Sequence, residues 1–129
     1  MKLSELKVGD WVVLNDEGVE REGTVTSISS EDHKVQVNNG IQEFWYTVDL
    51  INPMPLSETQ LMRLGFEKMD AEGKAKYGKG AFRVATPSAE DFSKSEVWYR
   101  EDKRFFDFPI SVSHLQNIHL EMTKIQLEA

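Results

Sequence analysis

The sequence predicts a mainly β protein of the α+β class, in which a five-strand small barrel over residues 1–56 packs against a small α+β unit over residues 57–129. Three observations support this prediction. Apolar and polar residues alternate in short runs over residues 8–56, as they do in half-buried strands. Turn-forming glycine, asparagine and serine residues separate these runs. After residue 56 the pattern changes to helix signals and further strands.

Turn residues bound the first two predicted strands. The apolar run 11–14 follows a glycine at position 9 and ends at the polar stretch 15–18. The second strand begins at Gly23 and continues to residue 28. Because glycine and short polar residues favour turns over strand interiors, each run is predicted as a separate strand.

The third and fourth strands are predicted on either side of Asn39-Gly40, the strongest two-residue hairpin signal in the chain. Before this turn, Val35 and Val37 alternate with polar neighbours, so one face of the third strand is apolar. After it, Trp45 and Tyr46 lie on opposite faces of the fourth strand, because successive strand side chains point in opposite directions.

A short fifth strand completes the predicted barrel. Residues 49–53 are predicted to form one helical turn that leads into this strand. Pro53 and Pro55 lie beside it, and proline has no backbone N–H for a ladder hydrogen bond. The fifth strand is therefore predicted at an edge, and the five strands are expected to make a small closed sheet.

Residues 1–55 resemble the SH3-like small barrels, a broad group that includes KOW, Tudor and chromo-type domains. The five short strands and the single helical turn before the last one carry this resemblance. In Tudor and chromo relatives an aromatic cage holds methylated lysine or arginine through cation–π attraction. Trp11, Trp45 and Tyr46 are candidates for such a cage. The alternative is that Trp11 and Tyr46 are barrel core and Trp45 is exposed.

A short helix is predicted directly after the barrel. Ser57 and Gln60 have the spacing of a capping box, in which the serine hydroxyl accepts the Gln60 backbone N–H. Gly65 lies where a left-handed residue ends a helix, and Phe66 can then fold back onto Leu61.

The rest of the second unit is predicted as antiparallel strands. A strand over residues 79–86 places Phe82 and Val84 on one face. A hairpin follows, with alternating aromatic residues on both arms and a turn at residues 101–103.

One more helix is predicted near the end of the chain. It covers residues 112–122, with Ser111 or Ser113 as its N-cap. Its apolar stripe has the spacing of a helix face packed on a core, and residues 124–127 are predicted as a closing strand. The stripe consists of Val112, Leu115, Ile118 and Met122.

The composition excludes several kinds of site. The chain has no cysteine, which excludes disulfides, thiolate zinc sites and cysteine nucleophiles. Its formal net charge is −7, and residues 1–56 contain four basic against ten acidic side chains. Electrostatics therefore disfavour nucleic-acid binding by the barrel, because an acidic surface repels phosphates. We find neither a secretory leader nor an apolar run that spans a bilayer, and we expect a cytoplasmic protein.

No motif predicts catalysis. Residues 73–79 match the G-x-x-x-x-G-K pattern of phosphate-binding loops, but Gly80 replaces the Ser or Thr that would bind magnesium. His114 and His119 are five residues apart, whereas metal-binding pairs on helices favour three or four. We therefore predict no enzyme, no cofactor and no metal site. Residues 73–79 are predicted as a solvated hairpin loop within a basic cluster of Lys74, Lys76, Lys79 and Arg83.

Three short stretches are similar to those of an uncharacterised family of small proteins found in bacterial genomes, prophages and mobile elements. They are PMPLSE at 53–58, LGFEK at 64–68 and SHLQN at 113–117. This resemblance spans most of the chain and implies no activity, substrate or catalytic residue.

These observations favour a non-catalytic protein-interaction module that binds a protein partner or a second copy of the chain. Two alternatives stay open: an acidic phage-type inhibitor or DNA mimic of a host enzyme, and weak nucleic-acid binding through the basic 74–83 loop. Aromatic side chains are enriched at interface cores. On this basis the candidate binding residues are Trp11, Trp45, Tyr46, Trp98 and Phe105.

Overall fold

Two five-stranded antiparallel sheets form the framework of the protein. A computed structural model describes residues 1–129. One sheet is built from the first half of the chain and the other from the second half, and both helices belong to the second half. The predicted mainly β, α+β class is confirmed at this level.

The first sheet has the strand order β4-β3-β2-β1-β5. The predicted helical turn before the last strand is present as a 3-10 turn at Val48–Leu50. The strands of this sheet are β1 (Trp11–Asp16), β2 (Val19–Ser29), β3 (Lys34–Asn38), β4 (Glu43–Thr47) and β5 (Ile51–Asn52).

The first sheet does not close as predicted. β4 and β5 are its two edges, and no ladder joins them. β5 has only two residues, both paired with β1, so it offers little backbone for a second ladder with β4. The core of this sheet contains Leu6, Val12, Leu14, Val25, Val35, Val37, Tyr46 and Ile51.

The hairpin between β3 and β4 has a longer loop than predicted. The strands end at residue 38 and resume at residue 43, and the Asn39 backbone N–H donates to the Gln42 carbonyl. The Asn39 side chain accepts the backbone N–H groups of Ile41 and Gln42. This side-chain capping stabilises a four-residue loop in place of a two-residue turn.

The second sheet has the strand order β10-β9-β8-β7-β6. Its inner face packs against the last helix, and the two together form the larger core of the protein. The elements of this half are α1 (Glu58–Arg63), β6 (Glu67–Met69), β7 (Ala75–Lys79), β8 (Phe82–Thr86), β9 (Ser95–Tyr99), β10 (Asp102–Phe106) and α2 (Val112–Thr123).

The prediction of a solvated loop over residues 73–79 is wrong, because residues 75–79 form β7. Ala75 and Tyr77 are buried on the inner face, while Lys76 lies between them on the other face. The lysines hide a strand pattern in which every second residue is apolar. The predicted strand 79–86 is therefore divided between two strands. Its first residue ends β7, residues 80–81 form a turn, and residues 82–86 form β8.

The end of the chain also differs from the prediction. Residues 124–127 form no strand. Lys124 has a left-handed φ of +65° and ends α2, and the chain then turns back so that Leu127 is completely buried. The tail makes no ladder hydrogen bonds, and the burial of Leu127 is one of the contacts that hold it.

Local signals account for the ends of both helices. Gly65, with φ of +92°, and Phe66 donate their N–H groups to carbonyls of the last turn of α1, which confirms the predicted end. The predicted capping box is wrong: the Ser57 hydroxyl donates to the Gln60 side-chain oxygen and accepts no backbone N–H. Ser111 is the N-cap of α2 and accepts the backbone N–H of the residue three positions later.

One buried side chain joins α2 to the first sheet and to the tail. The Gln116 amide oxygen accepts the Trp11 backbone N–H at 2.8 Å, and its nitrogen donates to the carbonyls of Gly9 and Leu127, both at 2.9 Å. Its side chain is completely buried. Gln116 therefore satisfies three backbone groups that have no partner in either sheet.

A buried histidine holds the tail from the same helix. The His119 ring lies 4.6 Å from the Phe82 ring between centroids, and its Nδ1 is 2.7 Å from the Ile125 carbonyl oxygen. Burial lowers the pKa of His119 below its ordinary value of 6.5, against the opposing effect of the Ile125 hydrogen bond. The folded protein therefore favours the neutral ring.

We expect Gln116→Met to lower the free energy of unfolding by about 3 kcal/mol or more, because each buried group left without a partner costs roughly 1–3 kcal/mol. Urea unfolding measures this loss. Gln126→Met is the matched control, since Gln126 donates to the Val8 carbonyl at an exposed site. A loss of equal size in both variants would contradict the special role of Gln116.

Stability should also depend on the protonation of His119. Because its pKa is lower in the folded state, its contribution is fully present above about pH 6.5 and is lost as the pH falls towards the folded pKa. The free energy of unfolding, measured with urea between about pH 7.5 and about pH 5, should therefore decline as the pH falls. The decline should be weaker in His119→Gln than in the wild type. The exposed His33 provides the control variant, His33→Gln, which should keep the wild-type decline.

Candidate binding surface

The second sheet has one face in the core and one face without a covering element. Tyr77, Val84 and Val97 are completely buried and share the core with Val112 and Leu115 of α2. Because side chains alternate along a strand, their sequence neighbours lie on the opposite, outer face.

The strand register places aromatic and basic side chains side by side on this outer face. Arg83 of β8 is paired with Trp98 of β9, which is paired with Lys103 of β10. In the neighbouring row, Glu96 is paired with Phe105. These residues come from three strands, so only the register brings them together.

Two lysines flank the partly exposed Trp98 ring. The Lys76 Nζ lies 5.6 Å and the Lys103 Nζ 5.5 Å from the ring centroid. Both distances are within the range of cation–π attraction, which is worth about 0.5–1 kcal/mol at exposed sites. Lys103 also pairs with Glu96 at 2.9 Å. The Trp98 ring therefore lies between two cations at the centre of the face.

Arg83 is held at one end of the same face by its own turn. Its Nη1 donates to the Gly80 carbonyl at 2.6 Å and to the Phe82 carbonyl at 3.0 Å. The guanidinium covers Gly78, where a Cβ atom would lie 2.8 Å from Nη1. The absence of a side chain at Gly78 lets Arg83 lie flat on the sheet.

Phe105 borders a cavity of about 340 Å³ at the other end of the face. The Phe105 side chain is 65% exposed, which is the largest exposure of any aromatic side chain in the protein. Lys74 and Lys94 also line this cavity, as does Ser95, whose buried hydroxyl oxygen has no hydrogen-bond partner. The cavity therefore combines one exposed aromatic ring with two lysines.

We call the cluster of Lys76, Arg83, Trp98, Lys103 and Phe105 the basic-aromatic face. The positive charge of this face, together with that of Lys74 and Lys94 at its border, exceeds the negative charge of Glu67 and Glu96 on the same side. The net charge of the whole chain, in contrast, is −7. Strand alternation thus gathers positive charge locally on an acidic protein.

The candidate cage residues do not come together. Trp11 is 2% exposed and lies in the larger core, with the Arg63 guanidinium 4.1 Å from its ring centroid. Tyr46 is buried in the core of the first sheet, and Trp45 is 47% exposed on β4. The expectation that Trp11 belongs to the barrel core is wrong, because its side chain faces the second half.

Lys79 also lies apart from the other predicted basic residues. Its Nζ donates to the Leu64 carbonyl at 2.7 Å, at the end of α1. A cation at this position stabilises the carbonyl end of the helix. Sequence reasoning placed Lys79 in the basic cluster and missed Lys94 and Lys103. The alternation of the last hairpin, which puts Lys103 two residues before Phe105, is the signal that could have found Lys103.

Comparisons of the chain with protein-family models, curated proteins and solved structures find no match. No three histidine or acidic side chains lie close enough together to hold a metal ion. Neither helix has the length and apolar character to cross a bilayer.

Proposed function

We propose that the chain is a non-catalytic protein-binding module and that the basic-aromatic face is its binding surface. One observation carries the proposal: Trp98 and Phe105 stand on the uncovered face of a sheet whose other face supplies the core. Exposed aromatic rings on a rigid sheet provide apolar contact area at little cost in conformational entropy.

The partner we propose is an acidic protein segment. Lys74, Lys76 and Lys94 have no acidic partner within salt-bridge distance, so they are free to pair with carboxylates. Complementary charge speeds association and selects the partner. A long polyanion such as nucleic acid is less favoured, because the acidic first half repels it.

We also propose that the first sheet, although open between β4 and β5, has the strand arrangement of the SH3-like small barrels. The order β4-β3-β2-β1-β5 and the 3-10 turn before β5 support this reading. In this view the first half is a scaffold that packs against the second half through Trp11.

A direct test measures binding of a labelled, glutamate-rich peptide that contains one aromatic residue. We expect Trp98→Ala and Lys76→Glu each to weaken binding by at least about tenfold, because they remove a central ring and reverse a flanking charge. Binding should weaken as salt is added.

Matched controls have the same chemistry elsewhere on the protein. Lys34→Glu reverses a charge on β3, and Phe108→Ala removes a 53% exposed ring outside the face. Both should bind like wild type. If a single-stranded oligonucleotide binds more tightly than the peptide, and Trp98→Ala and Lys76→Glu abolish oligonucleotide binding, the partner is nucleic acid. If neither probe binds, the face is not a site for anionic partners.

A further inference from the structure

The edge strand β4 has a free row of backbone hydrogen-bonding groups. It is the last strand of the first sheet, and outside its ladder with β3 its one engaged backbone group is the Thr47 carbonyl, which begins the 3-10 turn at Val48–Leu50. Edge strands with free N–H and C=O groups pair readily with another strand unless charge, proline or a covering element prevents it. β4 contains no proline and no lysine, and Glu43 is its one charged residue.

The ladder alternation shows which residues of β4 have free backbone groups. The Asn39 N–H donates to the Gln42 carbonyl, so this pair is of the hydrogen-bonded kind. Along an antiparallel ladder, hydrogen-bonded pairs alternate with non-hydrogen-bonded pairs. The backbone groups of Glu43, Trp45 and Thr47 therefore do not bond to β3. The N–H groups of these three residues and the C=O groups of Glu43 and Trp45 therefore point away from the sheet, while the Thr47 C=O is shared with the 3-10 turn.

Exposed apolar side chains border the same edge. Ile41 is 81% exposed, Phe44 49% and Trp45 47%. Trp45 lies on one face of β4 and Phe44 on the other, so apolar surface is available on both sides of the free row. A strand added to this edge would bury part of both faces.

We propose that two copies of the chain pair through β4 in an antiparallel, two-fold symmetric way centred on Trp45. In this register Trp45 faces its own counterpart, and Glu43 faces Thr47 of the other copy. The Trp45–Trp45 and Glu43–Thr47 pairs then have the hydrogen-bonded geometry, and the Phe44–Tyr46 pairs between them have the non-hydrogen-bonded geometry. The result is one continuous ten-stranded sheet with a self-complementary interface.

The charge pattern of β4 permits a second copy as the occupant. The symmetric register places no two like charges opposite each other, because Glu43 meets the neutral Thr47 and Phe44 meets Tyr46. Aromatic cross-strand pairs are among the favourable ones. The acidic first halves repel each other at longer range, so the dimer should tighten as salt is added, opposite to the behaviour proposed for the basic-aromatic face.

The test measures the dimer dissociation constant by sedimentation equilibrium of the full chain and of two charge variants. Thr47→Lys places opposite charges across both symmetric Glu43 pairs and should tighten the dimer about fivefold. Thr47→Glu places like charges there and should weaken it by about the same factor. Gln36→Lys and Gln36→Glu carry the same charges on β3, one strand inside the edge, and should change it little.

Amide hydrogen exchange gives an independent reading. On raising the concentration, the amides of Glu43, Trp45 and Thr47 should gain protection, whereas those of Phe44 and Tyr46 are already bonded to β3. A chain that stays monomeric up to about millimolar concentration would overturn the proposal. So would shifts of equal size in the Thr47 and Gln36 variants, because relief of the general acidic repulsion acts at both positions, whereas this register places only residue 47 opposite Glu43.

Discussion

The buried amide of Gln116 is the interaction on which the arrangement of the two halves depends. It lies on α2, yet its hydrogen-bond partners belong to the first sheet and to the tail. A buried amide with every partner in place is specific, since displacing α2 leaves several polar groups unpaired at once. Trp11, whose backbone Gln116 holds, then packs its ring into the larger core. The two sheets are thereby joined by polar and apolar contacts at one place.

Because α2 covers the inner face of the second sheet, the outer face remains open. Strand alternation then sorts the side chains of β7, β8, β9 and β10 between core and solvent. Apolar residues such as Tyr77 and Val97 go inward, while Lys76 and Trp98 go outward. The basic-aromatic face is therefore a consequence of the core pattern. Charge that is close to balanced along the second half becomes concentrated on one surface, and this concentration makes recognition of an anionic partner physically reasonable.

Most elements could be predicted from local pattern, and the failures have identifiable causes. The valines of β3, the glycine end of α1 and the apolar stripe of α2 are local signals, and all three are confirmed. β7 was missed because its partly exposed lysines obscured the alternation of Ala75 and Tyr77. Of the candidate binding residues, Trp98 and Phe105 were named as single aromatics. Their grouping with Lys76, Arg83 and Lys103 depends on a register across four strands, which no local pattern encodes.

The sequence by itself determined the class of the protein, the positions of most strands and helices, the absence of cysteine chemistry and the acidic character of the first half. These properties follow from composition and from short-range periodicity, which act within a few residues. The tertiary structure alone decided that the first sheet stays open, that Trp11 serves the second core, and that Lys79 caps α1 instead of joining the other cations. Each of these depends on contacts between residues far apart in the chain, and such contacts are chosen by packing and by the need to pair every buried polar group.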